Sequence, residues 1–211
     1  MKGKRRRSRG RPTLEDVEGI ESKLLAVALS EFVRHGYGGT SMRRIVNVAG
    51  VSKTTLYSRF SSKEQLFRAI MRQQIERLSA ATSRGAHPLR LNLEKDLEDY
   101  ANSMLEVSLR GDLLEVNRLL YSESHRFPEL GAAAADRTKL GIRQVADLIG
   151  KWATADRIPC GDPEGLAEAF IHMLRGWYVN VILTNTKVPK AQREQWAKRA
   201  VHALISDRRQ W

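Results

Sequence analysis

Residues 40–60, TSMRRIVNVAGVSKTTLYSRF, determine the fold of the N-terminal part of the chain, since they predict two short helices joined by a tight turn. Thr40 and Ser41 can cap the first of these helices and Ser52 the second, because hydroxyl side chains accept hydrogen bonds from free backbone N–H groups. Gly50 suits the turn between them. The apolar side chains predicted to hold the two helices together are Ile45, Val48, Ala49, Val51 and Leu56. This arrangement is a helix-turn-helix.

The outward face of the second short helix combines hydroxyls, a phenol and cations. It carries Lys53, Thr54, Tyr57, Ser58 and Arg59. Such a helix fits the major groove of DNA, which is about 12 Å wide, and its N-terminal residues then meet base edges. Spacing alone equally fits a helical hairpin with a solvated face. The local positive charge and the scarcity of Glu favour DNA binding.

The net charge of +12 is concentrated at one end of the chain. Residues 1–84 hold 18 Lys and Arg against seven Asp and Glu, whereas residues 85–211 hold 18 against 17. This asymmetry is typical of a polyanion-binding module joined to a near-neutral one. Together with the break at Gly85 and Pro88, it predicts three parts: a flexible basic arm at 1–16, a helix-turn-helix domain at 17–84 that includes the start of a linking helix, and a regulatory and dimerisation domain at 85–211.

The basic arm has two interpretations. Residues 2–12, KGKRRRSRGRP, contain no apolar side chain to bury, so we expect no stable structure there in isolation. Arg9 and Arg11 suit the narrow, negative minor groove of A·T-rich DNA. The alternative is a solubilising tail that adds only non-specific affinity. The neighbouring DNA module favours the first interpretation.

The rest of the chain predicts helices and no strands. Leu25, Ala28, Leu29 and Phe32 share one helical face that ends at Gly36, and Ser61 with Glu64 predicts a capping box for a longer helix. Later helices are predicted from Leu93, from Leu113, over 132–153, from Asp162-Pro163 to about Thr184, and over 190–207. The predicted fold class is all-α, with about nine helices.

Several classes of protein are disfavoured by composition. No apolar run approaches the roughly 20 residues that cross a bilayer. Cys160 is the single cysteine, which excludes an intrachain disulfide and favours the cytoplasm; a redox role is the weaker alternative. The five histidines are scattered, so we predict neither a metal nor a cofactor.

The helix-turn-helix belongs to a longer motif. Its elements are Gly36-Tyr37, Thr40, Ile45, Ala49-Gly50-Val51-Ser52-Lys53, Leu56-Tyr57, Phe60 and Lys63-Glu64-Gln65-Leu66-Phe67. Residues 24–67 with this motif resemble the DNA-binding domain of TetR-type transcriptional regulators. Beyond about residue 80, the resemblance is limited to length, helical character and the stretch Arg126–Leu130.

The resemblance implies roles by position. Thr40 and Tyr57 correspond to phosphate contacts, and Lys53 and Thr54 to base contacts at the start of the recognition helix. Lys63, at the start of the fourth helix, corresponds to a further backbone contact, where free amides already favour an anion.

Three further DNA contacts and one departure complete the predicted DNA site. Arg43 and Arg44 are included on charge alone, and Ser52 as the first residue of the recognition helix. Thr54 departs from the family, in which glycine is common at this position. Its side chain either contacts a base or alters the docking of the helix.

The resemblance also implies that the last two helices pair with their copies in a four-helix dimer bundle. A dimer is consistent with the physics, since two recognition helices about 34 Å apart read a palindrome only when something fixes their spacing. The predicted interface comprises Phe170, Leu174, Tyr178, Val181, Trp196, Ala200 and Leu204. Ordinary core packing of these residues is the alternative.

Family members usually hold an inducer within the second domain, so the resemblance implies a ligand pocket there. Candidate lining residues are Met104, Tyr121, His125, Phe127, Trp152, Met173 and Trp177. Each of these also fits a core or surface position without a ligand.

The predicted function is a ligand-responsive transcriptional repressor that binds palindromic double-stranded operator DNA as a homodimer. Its predicted partners are the operator, a small-molecule effector and a second copy of the chain. We predict no association with a membrane. A non-specific nucleic-acid-binding protein is the alternative. An enzyme is the weaker one, because the only cluster with catalytic atoms, Ser122–His125, spreads its side chains around a helix.

Overall fold

The computed structural model describes residues 14–83 and 92–208. Within these ranges the chain forms nine helices and no strand, which confirms the all-α prediction. The helices are α1 (Leu14–Gly39), α2 (Met42–Ala49), α3 (Lys53–Tyr57), α4 (Lys63–Ser83), α5 (Leu93–Leu109), α6 (Gly111–Glu123), α7 (Pro128–Asp156), α8 (Pro163–Thr184) and α9 (Lys190–Ile205). None of the helices in the described ranges combines the length and apolar character that crossing a bilayer requires.

The chain divides into two compact units, Met1–Ile70 and Met71–Trp211, with the division inside α4. The boundary at 84/85 remains a prediction from the sequence. Arg9 and Arg11 lie outside the described residues. Helix α1 begins at Leu14, so its first three residues belong to the segment predicted as the arm.

Three aromatic rings form the centre of the first unit. Phe32 of α1 and Phe67 of α4 are fully buried, and their rings meet edge to face with centroids 5.0 Å apart. Tyr37 stacks on Phe32 at 6.0 Å and meets Phe67 edge to face at 5.0 Å. Each such pair contributes about 0.5–1.5 kcal/mol beyond burial of its area. The cluster therefore holds the end of α1 against the beginning of α4.

The chain turns sharply at Gly36, inside the bounds of α1. Gly36 has φ 67° and ψ 173°, a backbone conformation that only glycine adopts readily. The sequence predicts a left-handed helical residue here. The positive φ agrees with this prediction. The value of ψ is extended and not helical, so the backbone leaves the helix at this residue.

Both helices of the helix-turn-helix have their predicted caps. Ser41 Oγ accepts from Arg44 N at 3.2 Å, and Ser52 Oγ accepts from Thr55 N at 2.9 Å. Gly50 closes α2 in the left-handed conformation, with φ 66° and ψ 31°. The two caps and the glycine turn therefore depend on single residues, which is why the sequence predicts them.

The predicted inward face of α2 was wrong at Val48, whose side chain is 55% exposed. The buried residues recur at the three- and four-residue spacing of a single helical face, and Val48 lies beyond the edge of that face. They are Met42, Ile45, Val46 and Ala49.

The capping box of α4 lies one residue later than predicted. Ser62 Oγ accepts from Gln65 N at 3.1 Å, and Gln65 Oε1 accepts from Ser61 N at 3.2 Å. Because Lys63 is the first helical residue, Ser62 and not Ser61 is the cap. Glu64 instead pairs with Arg68, at 2.8 Å along the helix surface.

The second unit is built around α8, which contacts α5, α6, α7 and α9. Helix α8 begins as predicted. Asp162 Oδ1 accepts from Gly165 N at 2.8 Å, and Pro163 lies in the first turn. Helix α7 begins at Pro128, four residues before the predicted start, since proline is tolerated in a first turn.

Most residues predicted for the dimer interface lie inside the second unit, so that assignment was wrong for them. Helix α8 is apolar on several sides, and its periodicity does not distinguish a core face from an interface face. Six of the seven are at most 8% exposed: Phe170, Leu174, Tyr178, Val181, Ala200 and Leu204. The seventh, Trp196, is partly buried and stacks on Trp177 with centroids 5.7 Å apart.

Gly36→Ala is expected to destabilise the protein by about 1–3 kcal/mol, because alanine is strained at this φ and ψ. Gly38→Ala is the matched control, since Gly38 has open surroundings and no positive φ. Thermal unfolding followed by circular dichroism measures both. Equal melting temperatures for the two variants would contradict the assignment of strain to Gly36.

Candidate nucleic-acid interface

Helix α3 presents nearly its whole length to solvent. Leu56 is its one buried residue, whereas Lys53 and Thr54 are exposed and Tyr57 is 50% exposed. The side chains predicted to read bases therefore lie on the outside of the first unit. A major groove that receives this helix would meet an ammonium, a hydroxyl and a phenol.

Two serines of the predicted site already serve the helix itself. Ser52 Oγ caps the N-terminus of α3 and lies 2.8 Å from Thr55 Oγ1, and Ser58 Oγ donates to Thr55 O at 3.1 Å. Both serines remain exposed. Their primary role is to cap this short helix, Ser52 at its N-terminus and Ser58 at its C-terminus.

Two predicted cations are available for an anionic partner. Arg43 and Lys53 are exposed, and neither has a hydrogen bond or ion pair with any residue that the structure describes. They belong to different helices of the helix-turn-helix, α2 and α3. Free cations of this kind can contact the phosphates of a nucleic acid.

Two other predicted cations are held by carboxylates of α1. Arg44 Nε donates to Glu31 Oε2, and Arg59 Nη1 pairs with Glu21 Oε2. Arg59 is only 22% exposed, which corrects its predicted place on the outward face of α3, while Arg44 remains 49% exposed. The charge count alone could not show that these cations stabilise the unit.

Glu31 positions one of the predicted cations, a role that sequence reasoning missed. Its side chain is only 5% exposed, and it accepts from Arg44 while lying 3.8 Å from His35 Nε2. A buried carboxylate requires such a partner. The available signal was its position one turn after Ala28, on the apolar face of α1.

Thr40 does not present its hydroxyl to solvent, so the predicted phosphate contact through this side chain is wrong. The residue is 2% exposed. Its Oγ1 lies 2.8 Å from Gly36 O and 3.0 Å from Glu31 O, which it can reach as a donor. The single hydroxyl proton is thus used within the first unit, by the carbonyl of Gly36 or that of Glu31.

Lys63 also points toward the protein. Its Nζ donates to Tyr37 O at 2.8 Å and to Thr40 O at 2.9 Å, and lies 4.4 Å from the centre of the Tyr37 ring. The ammonium joins the start of α4 to the segment between α1 and α2. Two of its three protons are used there, so Lys63 is primarily a structural residue.

Comparison with known proteins agrees with this geometry. Residues 24–70 match a family model described as bacterial regulatory proteins, tetR family. Residues 95–206, more than half of the chain, match the C-terminal domain of AefR-like transcriptional repressors. The chain belongs to the TetR family. The resemblance of residues 24–67 to the DNA-binding domain of TetR-type regulators is confirmed by the first of these matches.

Individual relatives of this TetR-family protein are transcription regulators, and transcription regulation is accordingly its function. The HTH-type transcriptional repressor ComR of Escherichia coli K12 is 35% identical over 95 residues, which span 45% of this chain and 43% of ComR. The regulator RutR of the same strain is 30% identical over 156 residues, 71% of this chain and 69% of RutR. The solved structure of the flavonoid-responsive regulator FrrA has a TM-score of 0.66 and 26% identity, covering 90% of this chain and 96% of that one.

Of the seven predicted pocket residues, one lines a small cavity and a second contacts a residue that lines it. Met104 lines a cavity of about 30 Å³, and Tyr121 Oη lies 3.3 Å from the hydroxyl of Tyr178, which also lines it. A third predicted pocket residue, Trp152, lies apart from this cavity, and its Nε1 donates to Asp96 Oδ2 at 2.8 Å. The remaining four lie elsewhere than this cavity: His125 exposed, Phe127 buried, Met173 and Trp177 partly exposed on α8.

A second cavity, of about 330 Å³, lies between the end of α8 and the α5–α6 turn. Its arginine, Arg118, is already bonded to Glu115 at 2.6 Å and to Asn185 Oδ1 at 2.5 Å. Among the described residues, no group of three or more His, Cys, Asp and Glu is placed to hold a metal ion.

Lys63→Met is expected to lower the free energy of unfolding by about 1–3 kcal/mol, because two carbonyls lose their donor. Lys53→Met is the control and should change it by less than about 0.5 kcal/mol, since Lys53 is exposed and unpaired. Urea unfolding followed by circular dichroism gives both values. An unchanged stability for Lys63→Met, with a weaker salt dependence of DNA binding, would restore the phosphate role.

Proposed function

We propose that this protein is a repressor that binds a palindromic operator as a homodimer and is released by a small molecule. The observation that carries the proposal is the exposed polar face of α3, with Lys53 and Thr54 at its start and Tyr57 one turn later. Repression is supported by ComR, named a transcriptional repressor, and by the repressor description of the C-terminal family model. Since bacterial operators lie in the cytoplasm, the proposed function places the protein there.

Direct DNA contacts are proposed for the free groups of the first unit. Lys53, Thr54 and Tyr57 would meet base edges and adjacent phosphates, and Arg43 would meet the backbone. Arg9 and Arg11 would add contacts in the minor groove. The assignments of Lys53, Thr54, Tyr57 and Arg43 rest on exposure and charge together with the family pattern. Those of Arg9 and Arg11 rest on the sequence alone.

Dimerisation is proposed through the outward faces of α8 and α9. A stripe of α8 with the spacing of one helical face is exposed or partly exposed, and Leu183 within it is 73% exposed. It comprises Ala169, Met173, Gly176, Asn180 and Leu183. An apolar stripe on a helix favours a partner helix. This set replaces the buried residues predicted from the sequence.

Control by a small molecule is proposed from the cavities of the second unit, and FrrA, which is named flavonoid-responsive, supports it. A coupling of about 1–3 kcal/mol between ligand and DNA would change operator affinity 5- to 150-fold. We place the coupling in α4, which contains the division between the two units. The coupling must be reciprocal, so operator DNA lowers the affinity for the ligand by the same factor.

A Lys53→Ala variant is expected to bind the operator roughly tenfold to a hundredfold more weakly than the parent, because alanine cannot donate to a base edge or a phosphate. The operator is first selected from fragmented genomic DNA, and affinity is then measured by fluorescence anisotropy at several salt concentrations.

Deleting residues 2–12 should instead weaken binding to all DNA and flatten the salt slope by about 0.9 for each phosphate that the arm neutralises in the parent.

Lys151→Ala is the control for this experiment, since Lys151 is an exposed lysine of the second unit. It should leave operator affinity unchanged. Equal binding to selected and random fragments by the parent protein would overturn the proposal and favour a non-specific nucleic-acid-binding protein.

Gly176→Gln is expected to convert the dimer to a monomer, since a longer side chain keeps two copies of α8 apart. Within one chain a Cβ at Gly176 meets no atom within 4 Å, so the domain itself can accommodate the change. Gly150→Gln on α7 is the matched control with equally open surroundings. Sedimentation at micromolar concentration distinguishes the states, and a dimer that persists in Gly176→Gln would count against this interface.

A further inference from the structure

The small cavity of the second unit is lined by hydrogen-bond donors. It lies where α5, α7 and α8 meet, and three of its polar residues come one from each helix: Tyr100, Arg137 and Tyr178. Ser108 and Thr138 add two hydroxyls. None of the described residues that line the cavity is acidic.

Ser108 is a buried polar group that has no partner among the residues that the structure describes. The residue is 1% exposed, and its Oγ forms no hydrogen bond with any of them. Its own carbonyl is satisfied by Asn117 Nδ2 at 3.0 Å, so only the hydroxyl remains unpaired. A buried hydroxyl without a partner destabilises a protein by about 1–3 kcal/mol, and such groups require an explanation. A ligand oxygen in the cavity would provide one.

Arg137 is a second group without a partner. Its guanidinium has neither a hydrogen bond nor an ion pair with any residue in the described ranges. It lies close enough to Tyr100 and Tyr178 to favour their ionised forms electrostatically. A partly buried cation without a counter-ion is unfavourable, and a carboxylate is its best partner because two parallel N–H groups can donate to it.

The two phenols act as donors at neutral pH. Burial raises the pKa of Tyr100 to about 12, and it raises the pKa of Tyr178 as well. Both groups therefore keep their protons in spite of the nearby arginine. Neither phenolate can serve as the counter-ion that Arg137 lacks.

A second arginine supports the same wall of the cavity. Arg175 Nη1 donates to Thr138 Oγ1 at 2.6 Å, and its Nε donates to Tyr121 Oη at 3.4 Å. Thr138 Oγ1 in turn donates to Ala134 O at 3.1 Å, so this hydroxyl already has both an acceptor and a donor within the protein. The positive charge behind the wall adds to the preference for an anion.

We propose that the effector is an organic acid whose carboxylate binds in this cavity, to Arg137 and to the hydroxyls of Ser108, Tyr100 and Tyr178. The inference rests on the proposed function, because it assigns a chemical class to the ligand of the second domain. Met104 and Ile171, which also line the cavity, provide apolar contacts for the carbon body.

The size of the cavity agrees with a head group. About 30 Å³ accommodates roughly two waters, and a carboxylate offers two oxygens in their place. The rest of the acid must extend past Met104 and widen the site. The larger cavity also has Lys187 in its lining, but it contains the carboxylate of Glu115, which repels an anion and already pairs with Arg118.

The test compares acids with neutral analogues of the same shape on the full-length protein. Benzoate and octanoate, against benzamide and octanamide, are added at millimolar concentration, and the melting temperature and the calorimetric dissociation constant are measured. The acids are expected to raise the melting temperature and to bind at least roughly tenfold more tightly than the amides. Amides that bind as tightly as the acids, or a panel in which no acid binds, would overturn the inference.

Three variants locate the site. Arg137→Gln should weaken acid binding roughly tenfold to a hundredfold, and Ser108→Ala should weaken it by a smaller factor while leaving the fold intact. Arg143→Gln, an exposed arginine of the same helix, is the matched control and should bind as the parent does. Acid binding that survives Arg137→Gln would place the site elsewhere and refute the assignment.

The same preparations keep this inference separate from the proposed function. Operator affinity is measured without any acid for the parent and for Arg137→Gln. Loss of operator selectivity in the parent would defeat the repressor proposal whatever the acids do. Intact operator selectivity with Arg137-independent or absent acid binding would defeat only the assignment of the ligand class.

Discussion

Helix α3 has five residues, and a helix of that length does not persist in water without outside support, because nucleation is unfavourable and too few hydrogen bonds follow. Its one buried side chain is Leu56. The remaining support comes from its neighbours. The Gly50 turn fixes its entry, and the pair of Arg59 with Glu21 ties the residues after it to α1. Everything proposed about DNA depends on this external support for a helix that cannot fold alone.

The charges of the first unit divide into two groups with different roles. Arg44, Arg59 and Lys63 are engaged by a carboxylate or by carbonyls, and they hold α1, α2 and α4 around the short helix. Arg43 and Lys53 have no hydrogen bond or ion pair with a residue in 14–83 or 92–208. An overall charge count cannot separate these groups, although only the second can release counter-ions fully when DNA binds. The helix-turn-helix therefore uses part of its positive charge to build the surface that the rest of the charge presents.

Sequence reasoning succeeded where the signal was local. The caps at Ser41, Ser52 and Asp162 and the turn at Gly50 follow from the hydrogen-bonding ability or backbone freedom of single residues, and the structure has all of them. The start of α4 was misplaced by one residue, because adjacent serines offer equivalent caps and only the packing of Phe67 and its neighbours sets the register.

The errors arose where tertiary packing decides. The stripe of α8 assigned to the dimer interface lies in the core, since apolar residues occur on several sides of this helix and periodicity does not rank them. Phe170 and Leu174, fully buried within one chain, are examples. Glu31 was missed because a lone acidic residue in a helix gives no sign that a distant arginine reaches it. Val48 was placed on the inward face of α2 because it stands three residues after Ile45, and that spacing alone does not locate the centre of the buried face.

The small cavity shows what local patterns cannot reveal, because its polar groups come from helices far apart in the sequence. Several features there reduce stability in the absence of a ligand. Within the described part of the chain, the hydroxyl of Ser108 has no partner and Arg137 has no counter-ion. Gly141 stands within a helix, where glycine costs about 1 kcal/mol relative to alanine. A Cβ at Gly141 would lie 2.8 Å from Tyr100 Oη, so the glycine is what leaves room for that hydroxyl. Such departures from optimal packing, gathered at one place, are expected at a binding site, since a region selected for stability alone would have replaced them.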